Sequence, residues 1–304
     1  MMLDKIIGPV VPLPTPFKEN QDIDYDALSS YVSFLCSKGI KTVMTTVGTS
    51  RFHLLSIDEV KKINEIVVKT AGKDTVTIVA NPSHGSLKDS LSLAMHAEKI
   101  GADIFLAHFP DRYYGEDEVY NFFEAIAKSV SIDILIHETP IKNGLCGGYQ
   151  HYSIELLTRL FEIKNIIGLK EEALDLNHSE KILKTFSDKV VIIGAGGGMS
   201  RYIRDYWLGA RAYLSGIANF YPELELEFYN AMKDENYKKA YNIVHDIEKP
   251  FFEITVPMGW HRCLKESLSI CGLLPPYERL PMSRISNKNI KILKDAMQKN
   301  GWVK

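Results

Sequence analysis

Lys170 closes the apolar run Ile166-Ile167-Gly168-Leu169-Lys170 and is followed at once by Glu171 and Glu172. A lysine at the inner end of a buried strand leaves water, which disfavours the ammonium and leaves some neutral amine, the form that attacks a ketone. That is the first step of imine-forming catalysis. The commoner fate of such a lysine is plainer: the ammonium reaches back to solvent or pairs with Glu171 or Glu172. His137, in Leu135-Ile136-His137-Glu138, titrates near neutral pH and can move a proton or stand as a hydrogen-bonded structural residue. Gly48-Thr49 offers backbone N–H groups and a hydroxyl that suit a carboxylate, and equally fits a turn glycine with a capping threonine. Gly194-Ala195-Gly196-Gly197-Gly198 has the flexibility of a phosphate cradle, but no basic residue stands in it before Arg201, so a tight turn or room for a bulky substrate fits better.

These residues do chemistry together only if the fold brings them to one place. Short apolar runs at 6–11, 42–47, 76–80, 104–107, 134–136, 166–170, 190–193 and 212–215 alternate with stretches of helical period that begin near Asp24, Ser56, Ser86, Asp117, Ser153, Asn177, Ser200 and Tyr221. Ser56 stands three residues before Glu59, a capping-box signature. Continuous apolar strands alternating with helices imply a parallel sheet covered on both faces, and eight such units imply an α/β fold closed into a (β/α)8 TIM barrel. An open doubly wound sheet is the competing arrangement, but the chain lacks a phosphate-binding fingerprint after the first strand. The rhythm stops after Glu235, where helices are expected over about 237–247, 258–270 and 287–299. The expected organisation is a barrel over 1–235 and a C-terminal helical appendage over 236–304, packed on it as a subdomain.

In such a barrel the strand ends and the loops after them form the active face. Thr15, Gly48, Thr49, His108, Asp111, His137, Lys170, Gly194, Leu214, Ser215 and Asn219 fall there. Lys170 and His137 come from adjacent strands, so their side chains can converge. Gly48, Thr49, Gly194 and Leu214 are the candidate substrate contacts in this set. His53, His108 and His261 show no metal-ligand spacing, and Cys36, Cys146, Cys263 and Cys271 are far apart, so no metal is expected. Tyr113-Tyr114 reads as an aromatic pair in a loop.

The 304 residues are 45% hydrophobic with a net charge of −2, and basic and acidic residues are interspersed. Nothing in that pattern suggests a nucleic-acid surface or a polybasic membrane anchor, so small molecules are the expected partners. No apolar run of about 18 residues and no N-terminal signal segment is present, and a cytoplasmic protein is expected.

Pro14-Thr15-Pro16-Phe17, the Gly48-Thr49 turn, Ile167-Gly168-Leu169-Lys170-Glu171, Ala218-Asn219 and Leu280-Pro281-Met282 resemble, in order and spacing, the dihydrodipicolinate synthase and N-acetylneuraminate lyase family. The resemblance covers nearly the whole chain. It implies a (β/α)8 barrel, a homo-oligomer (tetramer or dimer), and an imine between Lys170 and a 2-keto acid such as pyruvate, with no metal or organic cofactor. The departures are specific. His137, in His137-Glu138-Thr139-Pro140, stands where the family has a proton-relaying tyrosine, and Arg51 stands where its turn carries an acid. Lys142 occupies the place of an arginine that binds the second substrate's carboxylate, and Pro110-Asp111-Arg112 replaces the segment with a second tyrosine. Asn219-Phe220-Tyr221-Pro222-Glu223-Leu224 is similar to the sugar-acid dehydratase branch. The expected activity is therefore a Schiff-base lyase, either aldolase or dehydratase. A barrel that binds a keto acid as a sensor without turnover is the alternative.

Overall fold

The structure, a computed structural model, describes residues 6–110, 112–113, 115–138, 141–143, 149–173 and 175–303. Eight parallel strands close into a barrel: β1 (Gly8–Pro12), β2 (Thr42–Thr45), β3 (Val76–Ala80), β4 (Ile104–His108), β5 (Asp133–Glu138), β6 (Ile166–Glu171), β7 (Val191–Gly194) and β8 (Ala212–Leu214). Each pairs with its sequence neighbours, and β1 pairs with β8 through Gly8 opposite Ala212. The helices that return the chain are α1 (Tyr25–Ser37), α2 (Ile57–Ala71), α3 (Leu87–Ile100), α4 (Glu116–Ser129), α5 (Ile154–Phe161), α6 (Leu176–Phe186), α7 (Gly198–Tyr206) and α8 (Pro222–Lys233). The capping box read at Ser56 is in place, and Ser86 closes another at the start of α3. The (β/α)8 barrel is therefore the observed architecture.

Strand alternation divides the apolar side chains into two cores. Val10, Met44, Ile78, Ile104, Leu106, Leu135, Val191, Ile193 and Ala212 fill the barrel interior. Val11, Val43, Val79, Phe105, Ile134, Ile136, Leu169 and Ile192 face the helices. One irregularity breaks the alternation. Ile134 pairs with Ile166, but Leu135 pairs with Gly168, so β6 carries one extra residue at Ile167. A bulge of this kind inverts the facing of every residue beyond it. Gly168 allows it, because a Cβ there would collide with the backbone carbonyl of Val191 on β7.

The C-terminal helices are α9 (Tyr237–Ile243), α10 (Lys249–Thr255), α11 (Trp260–Ile270) and α12 (Asn287–Lys299). The helix expected to stop near Ile247 instead continues to Thr255 through a π turn at Val244–Glu248. Pro250 lacks an N–H and crowds the preceding turn, and the wider turn just ahead of it absorbs that misfit. Phe251, Leu264, Leu268, Leu293, Met297 and Trp302 join the same apolar cluster as the outer barrel layer. Two cations of this region lie over the Phe17 ring, Lys265 Nζ at 4.9 Å and the Arg279 guanidinium at 4.8 Å from its centroid. Arg279 also pairs with both oxygens of Glu59 at 2.8 and 2.9 Å. A three-stranded sheet of 112–113, 141–143 and 149–150, absent from the sequence reading, stands apart from the barrel sheet. Among the described residues no helix is long and apolar enough to cross a membrane.

Gly168→Ala places a methyl group against the β7 backbone and is expected to cost about 1–3 kcal/mol, the usual range for overpacking. A lowered denaturation midpoint is the readout. An unchanged midpoint would mean that the bulge does not need glycine.

Candidate active site

Register decides which side chains meet. His108 on β4 pairs with His137 on β5, and His137 pairs with Lys170 on β6, so the three sit in one row across adjacent strands on the inner face. Lys170 Nζ donates to Glu172 Oε2 at 2.6 Å and lies 2.7 Å from His137 Nε2, which is itself 2.8 Å from Glu172 Oε2. Lys170 and His137 are buried, while Glu172 is 36% exposed toward the barrel mouth. The His137 nitrogen can accept from the ammonium or donate to the carboxylate but not both. One proton thus decides the state of all three groups.

Burial first, and the Lys170 ammonium second, push His137 down to about 4, so its imidazole is neutral at pH 7. Against burial, which raises it, the Lys170 charge and the His137 hydrogen bond hold the Glu172 carboxyl well below its usual range. Burial, with His137 and Lys170 nearby, also lowers His108 well below its usual value. The His108 ring meets the His137 ring edge to face at 4.4 Å, and neither of its nitrogens has a partner among the described residues.

The row opens into a cavity of ≈ 630 Å³. Gly48, Thr49 and Leu214 line it, along with Phe52, His261 and Trp260. The N–H groups of Gly48 and Thr49, at the start of a short 3₁₀ turn (Gly48–Ser50), make no hydrogen bond among the described residues. Gly194 is a correction. It lies on the outer face of β7, outside the cavity lining, and a Cβ there would stand 2.7 Å from Asp205 Oδ2. Strand alternation is the reason, since Ile193 already faces inward. The Lys142 side chain lies outside the described part of the molecule, as do Asp111, Tyr114, Thr139, Pro140 and Cys146.

The two N–H groups that follow the glycine turn, those of Met199 and Ser200, are not free for a phosphate. Glu248, delivered by the π turn, accepts from the N–H groups of Met199 and Ser200 at 2.7 Å each and from the Ser200 hydroxyl at 2.6 Å. Gly198, at φ 54°, permits this, because a Cβ there would collide with the Glu248 carboxylate. Arg51 is likewise accounted for. Its guanidinium, buried with Glu278, pairs with that carboxylate at 2.9 Å and donates to the His261 carbonyl at 2.8 Å. It ties the turn after β2 to the C-terminal region. Glu171, facing outward, accepts from the Ser179 hydroxyl and the Ala173 N–H at 2.6 Å and pairs with Arg201.

A dihydrodipicolinate synthetase family model matches residues 4–300. The chain belongs to this family. It is 26% identical over 298 residues to a 4-hydroxy-tetrahydrodipicolinate synthase of Archaeoglobus fulgidus, covering 96% of this chain and 97% of the relative. It is 30% identical over 280 residues to an uncharacterised DapA-like lyase of Pyrococcus horikoshii, covering 89% and 94%. In fold it superposes on an N-acetylneuraminate lyase of Fusobacterium nucleatum with a TM-score of 0.87 at 22% identity, over 98% and 99% of the two chains. A dihydrodipicolinate synthase of Aquifex aeolicus gives 0.85 at 24% identity, over 98% and 99%. The family is one of lyases, which makes an enzyme the reading for this chain. Within that frame Glu172, which sequence reasoning had named as a possible ion-pair partner of Lys170, joins the site cluster. Alternation after a buried Lys170 (in, out, in) would have pointed to it.

His108 offers a test of the site's electrostatics. Its folded pKa lies well below the ordinary 6.5, so between those values the unfolded chain binds more protons and the fold loses stability as pH falls below 6.5. His137, Lys170 and Glu172 are the charged or titratable groups that face it. His108→Phe removes two unpaired ring nitrogens and is expected to flatten the fall in denaturation midpoint below pH 6.5. Parallel curves for the two proteins would show that His108 does not titrate as placed.

Proposed function

We propose that the protein is a lyase that forms an imine between Lys170 and a 2-keto acid, either pyruvate or a longer keto or sugar acid. The observation that carries this reading is the convergence of Lys170 Nζ, His137 Nε2 and Glu172 Oε2 within 2.6–2.8 Å at the mouth of the barrel. The Lys170–Glu172 pair, taken alone, is the ordinary way to satisfy a buried ammonium. Its position in a substrate-sized cavity beside a neutral imidazole supports a catalytic role instead.

The chemistry follows from proton positions. Glu172 takes a proton from the ammonium, and the free amine adds to the C2 carbonyl of the keto acid. The resulting carbinolamine loses its hydroxyl as water when Glu172 or His137 returns a proton, leaving an iminium. The iminium draws electrons from C3: either a proton leaves C3, or the C4 hydroxyl gives its proton to the Glu172 carboxylate, the C3–C4 bond breaks and C4 departs as a carbonyl compound; an enamine results in both cases. Neutral His137 accepts or returns the proton at C3. Hydrolysis of the imine then frees the product and Lys170. In an aldolase the bond made or broken at C3 is to carbon. In a dehydratase an enamine expels hydroxide from the next carbon. The Gly48 and Thr49 N–H groups hold the C1 carboxylate, and the apolar wall of Phe52, Leu214, Val256 and Trp260 takes the rest of the substrate.

Borohydride reduction with pyruvate and a panel of longer 2-keto acids, followed by intact mass and peptide mapping, tests the nucleophile. One adduct per chain on Lys170, absent in Lys170→Ala, is the expected result. Binding of keto acids without any adduct would replace the lyase with a sensor. In His137→Phe the adduct should persist while hydrogen exchange at C3 of pyruvate slows by about 10²–10⁴-fold. Exchange at the wild-type rate would remove His137 from the proton path.

A further inference from the structure

A second cluster of chemistry-bearing side chains lies on the outer face of the same strand. Glu138 follows His137 on β5, but alternation turns it away from the cavity toward the helices. His151, just before α5, and His178, in the first turn of α6, reach it from two other elements. Glu138 Oε1 is 2.9 Å from His178 Nε2 and 3.3 Å from His151 Nδ1, and all three atoms lie within 4.8 Å of one another. The two imidazoles stack at 4.8 Å, so their ring planes are held side by side.

The hydrogen bonding of this cluster is lopsided. Oε1 also accepts from the Tyr152 N–H at 3.1 Å and so faces three groups. Oε2 of the same carboxylate, which is fully buried, has no partner among the described residues, and His151 Nδ1 makes no hydrogen bond of good geometry. A purely ionic cluster would leave a buried carboxylate oxygen unsatisfied, which is rare and asks for a ligand.

We propose that Glu138, His151 and His178 form a divalent transition-metal site, with Zn²⁺ as the fitting ion. Two imidazoles and a carboxylate are a recurrent zinc donor set, completed by a water in the fourth position. Bonds of 2.0–2.2 Å in a tetrahedron separate the donors by about 3.3 Å. Two of the three separations are already close to that, and small rotations of the His178 and Glu138 side chains admit the ion. The soft thiolates that would favour copper(I) are not among the three donors, and two nitrogens make the set a poor one for magnesium or calcium. The ion would bind the end of β5 to α6 and to the chain entering α5. Because Glu138 adjoins His137, the metal fixes the strand end that carries the catalytic imidazole without touching substrate. Its role is positional.

The test uses tag-free full-length protein, stripped with chelator and titrated with Zn²⁺ by calorimetry and metal analysis. One ion per chain is expected, with a rise in Tm on loading. His151→Ala and His178→Ala should each weaken binding by more than about 100-fold, beyond what loss of an outer-shell partner costs. His137→Phe should bind as wild type does, and borohydride trapping on Lys170 should proceed in stripped protein, because neither touches the metal. No zinc above the level retained by a His151→Ala/His178→Ala double variant would overturn the proposal, as would loss of the ion in His137→Phe, which would place it in the cavity. If the alanine variants fail to fold, Glu138→Gln and Co²⁺ substitution decide: wild type should show the visible absorption of a four-coordinate nitrogen–oxygen site and Glu138→Gln should not. Octahedral-type weak absorption in both would sink the site.

Discussion

The extra residue in β6 is the constraint on which the rest of the site depends. Without it, the pairing that begins at Ile134 and Ile166 would run on to set Lys170 against Glu138. The outward face of β5 would then oppose the lysine, and His137 would be out of reach. With Ile167 unpaired, Lys170 and His137 share the inner face, and Glu171 and Glu138 share the outer one. A single backbone irregularity thus separates two polar clusters, one in the cavity and one under the helices. The close approach of β7 at Gly168 is the local condition for it.

The inner cluster is built from groups that limit one another. A lone buried ammonium is costly, and a carboxylate beside it lowers that cost. The neutral imidazole between them takes no charge of its own at pH 7, because burial and the lysine both disfavour its protonation. The arrangement therefore has one mobile proton and three places for it, at distances of 2.6–2.8 Å. His108, with no hydrogen bond to its ring nitrogens among the described residues, closes the row on the β4 side.

The C-terminal helices complete the cavity rather than merely covering the barrel. Trp260 and Leu264 line it directly, and Gly216 leaves room for the indole, since a Cβ there would collide with it. Arg51 holds the turn after β2 to the same region through Glu278 and the His261 carbonyl. The unbonded N–H groups of that turn and the apolar far wall are in this way positioned by one buried ion pair. Glu248 serves the glycine turn after β7 in a similar manner, capping α7 from a π turn more than forty residues away in sequence.

Periodicity alone determined the eight strand–helix units, because each buried strand is a continuous apolar run and most of the helices that follow open on a capping side chain. It also marked Lys170, His137, Gly48, Thr49 and Leu214 as residues of one face, since strand ends in a closed barrel must converge. The outward placement of Gly194 and the identity of Arg51's partner were not legible there. Gly194 depends on the facing of its strand, which a one-residue bulge or shift inverts. Arg51 and Glu278 are 227 residues apart, and Glu138, His151 and His178 come from three elements with no motif spacing between them. Such contacts are properties of packing in three dimensions. The sequence names the groups, and only the closed barrel, with its one bulge, decides which of them meet.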